Sequence, residues 1–416
     1  MKGEGYPDRV VPDSDVRRVL AQGFSAAKLD GRRVLVVVPD GTRSGPQGLF
    51  FRLIYELLAP RVKVLDFLIA LGTHQPMSEE AICKRWDVTP EELKTTFAKA
   101  RIFNHEWQKP ETFVTAGTIG RAEIAKLSEG RLEHDVPVRL NKLLFEYDRV
   151  IVCGPVFPHE VAGYSGGTKY FFPGVSGAEV INTTHWIGAL ITCFNTIGVK
   201  HTPVRDVIDR AASFISTPKL FVCYVTAHDH LHGVYVSEDE SAWSAAADLS
   251  STVHVRYLDK PYKQVLAVMP EMYDDIWVAG KGMYKLEPIV AEGGELIIYA
   301  PHIDELSYTH GKVLDEIGYH TKEYFVRQWE KFRKYPWGTL AHSTHVKGMG
   351  GYKDGVETPR ITVTLATRIP EARVRKVNLG YRDPSSIHVS HFRGREDEGI
   401  LVVDHAGEVL YRLKAR

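Results

Sequence analysis

Residues 154–185, GPVFPHEVAGYSGGTKYFFPGVSGAEVINTTH, constrain the fold more than any other stretch of the chain. The short apolar run at 150–153 predicts a strand that ends at the Gly-Pro pair behind it. Residues 163–167, the glycine turn, come next, and their glycines permit positive φ angles and a close approach of backbone N–H groups to a ligand. A helix is expected over 176–190. This order predicts a ligand-binding loop, suited to an anion, at the end of a strand.

Lys169 lies just beyond the glycine turn, as in a phosphate-binding loop. The Walker spacing G-x-x-x-x-G-K-[ST] is absent, however. An ordinary nucleoside triphosphatase is therefore a poor interpretation.

Apolar runs alternate with helical patterns along the whole chain. VLVVV at 34–38 is typical of a strand buried on both faces of a parallel sheet. Helices are predicted at 47–58, 79–86, 139–146, 281–290 and 323–334, and strands at 62–68, 219–226, 265–268, 295–299, 360–366 and 374–379, with a hairpin-like piece at 400–413. This alternation predicts an α/β protein with mainly parallel sheets.

The length of 416 residues predicts two domains. We expect an N-terminal α/β domain over 1–262 that carries the cofactor site. A C-terminal α/β domain over 263–416 is expected to contribute substrate-binding residues, with its end packing back on the first domain. The default ligand site is a cleft between the two domains.

The composition excludes several classes of protein. Lys+Arg and Asp+Glu are both 52, so no bulk charge draws the chain to nucleic acid or membrane. No apolar run reaches transmembrane length, and the first residues lack a signal-peptide pattern. The 4 cysteines are widely spaced, which fits neither a zinc knuckle nor a disulfide framework. A reducing cytoplasm is the expected location.

Several polar side chains follow predicted strands, where α/β folds bind ligands. Asp40 and Arg43 follow strand 34–38, and His74 follows strand 62–68. On spacing alone, a helix cap, a surface ion pair and a solvated histidine explain them equally well or better. His228, His230 and His232 stand at alternate positions, so an extended backbone would place all three on one side. They are a second, weaker candidate for a metal site. His105 does not complete H-E-x-x-H, so a zincin is excluded.

Three motifs favour a functional role for these residues over a purely structural one. DGTR (40–43), LGTHQPMSEEA (71–81) and PHEVAGYSGGTKYFFPGVSG…NTTH (158–185) resemble the signatures of the nickel-dependent lactate racemase family. The resemblance covers most of the first predicted domain and continues weakly through KGMYKLEPIVAEGG (281–294). The long central motif is specific, because it fixes several residue types over nearly its whole length.

The resemblance implies a cofactor, a nickel-pincer nucleotide (pyridinium-3,5-bisthiocarboxylic acid mononucleotide) that is loaded with the help of cofactor-biosynthesis proteins. It implies a thioamide link to Lys169 and nickel ligation by His185, since a lysine amine can be acylated and neutral imidazole suits nickel. The residues implied to line the cofactor are Asp40, Gly41, Thr42, Arg43 and Pro173.

The resemblance also implies a reaction, the racemisation or epimerisation of a small 2-hydroxy acid through a 2-oxo acid. His74 and His159 match the two acid/base histidines of the family. Arg43 and Lys281 are implied to hold the substrate carboxylate.

The sequence departs from the family near Lys281. Val278 stands where the family often has glutamine, and Lys285 is a rival to Lys281 for the carboxylate. Trp277 and Tyr284 are expected to build a different pocket, which favours a larger 2-hydroxy acid or an aldonic acid over lactate.

Two other functions stay open at this point. One is a nicotinamide-dependent 2-hydroxyacid dehydrogenase, against which the missing G-x-G-x-x-G after the first strand argues. The other is a non-catalytic homologue that binds or senses hydroxy acids.

Overall fold

The computed structural model describes residues 1–41, 45–227 and 230–414. The chain divides into two compact units. The ranges of the first unit are Met1–Phe157, Tyr164–Ile181 and Lys200–Val253, and those of the second unit are Pro158–Gly163, Asn182–Val199 and His254–Arg416. These ranges differ from a single division at residue 262, and the predicted domain boundary stays a prediction.

A sheet of seven strands, counted over the described residues, forms the centre of the first unit. Five neighbouring strands are parallel, and two antiparallel strands close one edge. The order across the sheet is Lys2–Gly5, His230–Ser237, Lys219–Ala227, Arg149–Pro155, Arg33–Pro39, Val64–Ala70 and Ala100–Asn104. The predicted strands at 34–38, 62–68, 150–153 and 219–226 all lie in this sheet.

Helices cover the sheet because its central strands are apolar on both faces. Helix Gln47–Leu58 packs Phe50 on Tyr224, with ring centroids 4.3 Å apart, and Phe51 on Trp86, at 4.4 Å. Helix Glu79–Trp86 begins as predicted, with the Ser78 hydroxyl accepting from the N–H of Ala81. The other helices that begin in this unit are Asp13–Ala26, Pro90–Lys94, Arg121–Leu127, Leu143–Glu146, Gly167–Tyr170 (3-10), Ala178–Ile191, Pro203–Ala212 and Ser241–Val253.

The helix predicted at 139–146 is wrong. Strand Val136–Asn141 pairs antiparallel with Phe113–Ile119, and only Leu143–Glu146 is helical. Buried and more exposed residues alternate along most of this strand, as expected for a strand. The charged residues and leucines from 139 onwards made the segment resemble a helix.

The second unit contains a parallel sheet of five described strands. Leu266, Ile297 and Ala366 form its core together with Ile387. The order is Gly380–Tyr381, Thr362–Thr367, Val290–Ala300, Tyr262–Val268 and Ile400–Val403. Smaller strands of the remaining chain are Pro158–His159, Gly163–Tyr164, Val255–Leu258, Gly350–Lys353, Val356–Pro359 and Leu410–Leu413.

Three predictions in the second unit need correction. The segment at 374–379 lies in and behind helix Glu371–Lys376, because Val374 and Val377 bury at helical rather than strand spacing. The piece at 400–413 is no hairpin, since Ile400–Val403 and Leu410–Leu413 pair with different strands. The helix predicted at 281–290 ends at Tyr284.

The remaining helices of this unit are short. The one predicted at 323–334 is split at Gln328. The helices are Cys193–Thr196, Ile276–Ala279, Lys281–Tyr284, Gly311–Ile317, Lys322–Arg327, Trp329–Phe332, Trp337–Lys347 and Glu371–Lys376. Within the described ranges, no helix has both the length and the hydrophobicity needed to cross a membrane.

Candidate active site

The order of strands in the first sheet reverses between Arg33–Pro39 and Arg149–Pro155. The chain moves from Arg33–Pro39 to Val64–Ala70 on one side, and from Arg149–Pro155 to Lys219–Ala227 on the other. Open α/β sheets bind ligands at the carboxyl ends of the strands beside such a switch point. Asp40 follows the first of these strands, and the glycine turn and Lys169 follow Arg149–Pro155.

Asp40 and His74 meet at this edge of the sheet. The Asp40 carboxyl, which is almost fully buried, lies 2.5 Å from Nδ1 of His74. Because a carboxylate can only accept, His74 donates Nδ1–H and keeps the lone pair of Nε2 for another proton. The indole N–H of Trp107 donates to the His74 carbonyl at 2.9 Å, which fixes the loop. The structure thus brings together two residues that the sequence predicted separately.

The loop that carries His74 lies against the segment that carries Pro173. The N–H of Gly72 donates to the carbonyl of Gly174 at 3.0 Å. Thr42 and Arg43, which the sequence also predicted near the cofactor, lie outside the described residues.

Lys169 is held in a buried turn. Gly166 and Gly167 have φ angles of +81° and +59°, which only glycine adopts freely. A Cβ at Gly167 would lie 3.1 Å from the indole of Trp243, so the chain passes very close to that ring. The Lys169 side chain is only 9% exposed, which is rare for a lysine without a functional or structural partner.

Arg205, which the sequence did not predict as a functional residue, stabilises this turn through hydrogen bonds and a contact with an aromatic ring. Its side chain is buried, donates to the Tyr164 carbonyl at 2.7 Å and to Thr168 Oγ1 at 3.1 Å, and stacks 4.1 Å from the Trp243 ring. The Thr168 hydroxyl in turn donates to Asp209 at 2.5 Å. The signal in the sequence was an arginine on the apolar face of helix Pro203–Ala212.

His159 belongs to the second unit and is buried. The backbone N–H of Val161 donates to its Nδ1 at 3.1 Å. The Glu160 carboxylate lies 3.4 Å from the same nitrogen, so the shorter contact is the one in which Nδ1 accepts. A neutral imidazole that accepts at Nδ1 carries its proton on Nε2, which is the tautomer opposite to that of His74.

His185 lies on helix Ala178–Ile191, in the part that belongs to the second unit. Three contacts fix this part of the helix. Trp186 stacks on Trp329 with ring centroids 5.0 Å apart, Asn182 accepts from the N–H of Gly338 at 3.0 Å, and Lys322 donates to the Leu190 carbonyl at 3.2 Å. His185 is thus presented from a rigid support.

The two candidate substrate lysines differ in their surroundings. The Lys281 ammonium lies 4.7 Å from the centre of the Tyr273 ring. Lys285 is 2% exposed and its ammonium donates to the Glu408 carbonyl at 2.9 Å. The contact with Glu408 gives Lys285 a structural role, and substrate binding by Lys281 stays a prediction.

The runner-up metal site gains no support in the described chain. His228 lies outside the described residues, and His232 places Nδ1 3.1 Å from the Tyr6 carbonyl on strand His230–Ser237. Nowhere in the described ranges do three or more His, Cys, Asp or Glu side chains form a group that could hold a metal ion.

Comparison with known proteins identifies the family. The model of the lactate racemase N-terminal domain matches residues 12–193. Lactate racemase from Thermoanaerobacterium thermosaccharolyticum is 25% identical over 330 residues, which cover 73% of this chain and 69% of that protein. The chain belongs to the lactate racemase family. It is accordingly an isomerase of the racemase class.

One further relative and two solved structures are also similar to this chain. Lactate racemase from Lactiplantibacillus plantarum is 22% identical over 71% of this chain and 67% of its own. A crystal structure of a protein from Thermotoga maritima is 33% identical, covers 99% of this chain and 100% of that one, and has a TM-score of 0.90. The lactate racemase apoprotein from T. thermosaccharolyticum shares the fold, with a TM-score of 0.71, 16% identity and coverage of 96% and 93%.

The residues present fit the nickel-pincer nucleotide that the family motifs imply. Lys169 is a buried lysine, whose amine is a group that can be acylated, and His185 is an imidazole on a helix that neighbouring contacts hold in place.

Proposed function

We propose that this protein racemises or epimerises a 2-hydroxy acid at C2, with a nickel-pincer nucleotide attached to Lys169. The observation that carries the proposal is the 2.5 Å contact between Asp40 and His74, which follow strands of the same sheet as the turn that carries the buried Lys169. Such a pair is the usual way to fix a histidine as a general base.

Lys169 and His185 would hold the cofactor, the first through its amine and the second through the metal. Asp40, Gly41 and Pro173 would line it, together with Thr42 and Arg43. When bound, the cofactor supplies a two-electron acceptor that takes a hydride from C2 of the substrate and gives it back.

The proton of the substrate hydroxyl is handled by the protein. Nε2 of His74 takes this proton, because its Nδ1–H is committed to Asp40. His159 would donate from Nε2 to the substrate oxygen, because its Nδ1 accepts from the Val161 N–H. One histidine accepts and the other donates, as removal and return of the hydroxyl proton require.

Lys281 holds the substrate carboxylate through its ammonium, and Arg43 is the second candidate for this role. The contact with the Tyr273 ring helps to confine the Lys281 side chain. The carboxylate contact orients C2 for reaction.

The two relatives named lactate racemase support a 2-hydroxy acid as the substrate. Val278 is buried in helix Ile276–Ala279, where the family often has glutamine, so lactate itself is not the favoured member of this class. Family membership favours the isomerase over a nicotinamide-dependent dehydrogenase or a non-catalytic sensor. A cytoplasmic location and loading by cofactor-biosynthesis proteins are part of the same proposal.

The test is an assay of the protein co-produced with the cofactor-making enzymes. We expect formation of the C2 epimer from at least one 2-hydroxy acid, measured by chiral chromatography or NMR, and its loss in Lys169→Ala and His74→Gln. Protein that carries nickel but epimerises no 2-hydroxy acid of a broad panel would contradict the proposal.

A further inference from the structure

The loop at 71–78, which carries His74, is held by two side chains from one neighbouring segment. This segment consists of strand Ala100–Asn104, the last strand in the order of the described sheet, and the turn that follows it. The two side chains are those of Asn104 and Trp107, neither of which the sequence predicted as functional. The loop and the segment both belong to the first unit.

The Asn104 side chain binds the backbone of Met77 through both of its polar atoms. Its Oδ1 accepts from the Met77 N–H at 3.0 Å, and its Nδ2 donates to the Met77 carbonyl at 2.9 Å. An amide can accept and donate at the same time, whereas a carboxylate cannot donate and an apolar side chain can do neither. The amide thus makes the two hydrogen bonds that a residue of a paired antiparallel strand would make.

The backbone beneath this amide is anchored to the sheet. Asn104 stands opposite Ile69 in the pairing of the last two parallel strands, and the next N–H, that of His105, donates to the Ile69 carbonyl at 3.1 Å. Strand Val64–Ala70 also leads directly into the loop at 71–78. The loop is therefore fixed against the strand from which it begins, and groups placed on strands are held more precisely than groups on loops.

Trp107 supplies a second contact, at His74 itself. Its indole N–H donates to the His74 carbonyl at 2.9 Å, three residues before the position that Asn104 binds. The Met77 side chain reaches the other predicted cofactor loop, since a Cβ at Gly41 would lie 3.6 Å from Met77 Cε. The two side chains thus fix the part of the loop that faces residues 40 and 41.

The contact between His74 and Asp40 depends on this support because burial does not fix the imidazole. The His74 side chain is 31% exposed, while that of Asp40 is 7% exposed. Their hydrogen bond of 2.5 Å tolerates little displacement of the loop. A base that moves by even 1 Å from its productive position loses about 100-fold in rate.

We propose that Asn104 and Trp107 are positioning residues for the reaction, which hold the loop at 71–78 so that His74 keeps its contact with Asp40. This inference rests on the proposed function. Neither residue has to touch the substrate or the cofactor, and both act through the backbone of the loop.

The kinetic test uses Asn104→Leu, which keeps the size of the side chain, and Trp107→Phe, which keeps an aromatic ring without the N–H. The loaded enzymes are compared, at equal nickel content, on the 2-hydroxy acid that the wild type epimerises fastest. We expect each substitution to lower kcat by about 10- to 100-fold and to change KM by less than about twofold, because the base is displaced while the substrate contacts remain.

A double variant tests whether the effect passes through His74. In Asp40→Asn the contact is already lost, so adding Asn104→Leu should lower kcat by less than about a further twofold. A merely structural role of Asn104 predicts instead that the two losses multiply.

Proton NMR of the full chain without cofactor gives a readout that does not depend on activity. The proton between Nδ1 of His74 and Asp40 should give a resolved downfield resonance that is absent in His74→Gln. In Asn104→Leu and Trp107→Phe we expect this resonance to be weakened or lost, because the loosened contact lets the proton exchange with water.

Thr89→Val is the matched control. Thr89 also joins a side chain to a backbone N–H in the first unit, since its hydroxyl accepts from Glu92 at 3.1 Å at the start of helix Pro90–Lys94. Its loss should change neither kcat nor the resonance. If Leu at position 104 prevents folding, Asn104→Asp, which keeps the acceptor and loses the donor, takes its place and should cause a smaller loss of both.

Normal kcat and an unchanged resonance in Asn104→Leu and Trp107→Phe would overturn the inference and leave the proposed function intact, and so would losses that multiply in the double variant. Nickel-loaded wild type that epimerises no 2-hydroxy acid would overturn the proposed function and, with it, the catalytic role of the two residues. The resonance distinguishes the two failures, because it reports on the contact of His74 with Asp40 in either case.

Discussion

Asp40 is the residue whose removal tests the assignment of His74 most sharply. In Asp40→Asn the side-chain amide can donate to Nδ1 of His74, which moves the imidazole proton to Nε2 and removes the base. We expect kcat to fall by about 100-fold or more, because general-base catalysis contributes about that much. The measurement is the rate of C2 epimerisation with the cofactor content held equal.

The control for this change is Asp30→Asn, which breaks an exposed ion pair of Asp30 with Arg61 in the same unit. That variant should retain its full rate. An Asp40→Asn enzyme that also retains its rate would show that the carboxylate has no role in proton transfer.

The burial of His105, which is not part of a zincin motif, leads to a prediction about stability. It is fully buried, accepts at Nδ1 from the Asn141 amide at 3.1 Å, and burial lowers its pKa to about 4. The unfolded chain therefore takes up this proton at a higher pH than the folded chain. The free energy of unfolding is therefore unaffected by this group above about pH 6.5. It falls by about 3 kcal/mol in total as the pH is lowered towards 4.

Urea unfolding of the wild type and His105→Gln at pH 7 and pH 4.5 measures this effect. The free energy of unfolding should fall more steeply with decreasing pH in the wild type than in the variant. Equal slopes would mean that His105 does not titrate in this window.

At the scale of elements, the glycine turn and helix Pro203–Ala212 form one unit of structure through Arg205. Arg205→Met leaves the Tyr164 carbonyl and Thr168 without their buried donor, so we expect a loss of about 3 kcal/mol in the free energy of unfolding. We also expect incomplete modification of Lys169, because the turn that presents it loses its support. Thermal melting and intact mass measure the two effects.

Arg210→Met on the same helix is the matched control. Arg210 forms a partly exposed ion pair with Glu123. Its loss should therefore lower the free energy of unfolding by less than about 1 kcal/mol and leave the modification of Lys169 complete. Equal behaviour of the two variants would remove the positioning role of Arg205.

The sequence predicted strands correctly where both faces of the strand are buried in the sheet. The strands predicted at 34–38 and 219–226 each contain a continuous apolar run, and the structure confirms both strands. The prediction of a strand at 374–379 was wrong, because the segment is too short for its apolar pattern to separate a strand from a helix, and the three-residue spacing of Val374 and Val377 is helical. The piece at 400–413 failed because pairing partners are distant in sequence.

At the scale of the whole molecule, the sequence predicted an α/β fold with parallel sheets and the racemase family, and both are confirmed. The catalytic and cofactor-binding roles, from His74 to Lys281, stay predictions. The contact of Asp40 with His74 could not be predicted, because it joins residues that only folding brings together. The position of Arg205 on an apolar helix face was a signal of burial, but its partners Tyr164 and Thr168 are distant in sequence.

The most direct test of the account is the intact mass and metal content of the protein co-produced with the cofactor-making enzymes. We predict an added mass that maps to the peptide containing Lys169, bound nickel, and the loss of the added mass in Lys169→Ala. An unmodified and nickel-free chain, under conditions that load an established member of the family, would contradict the account.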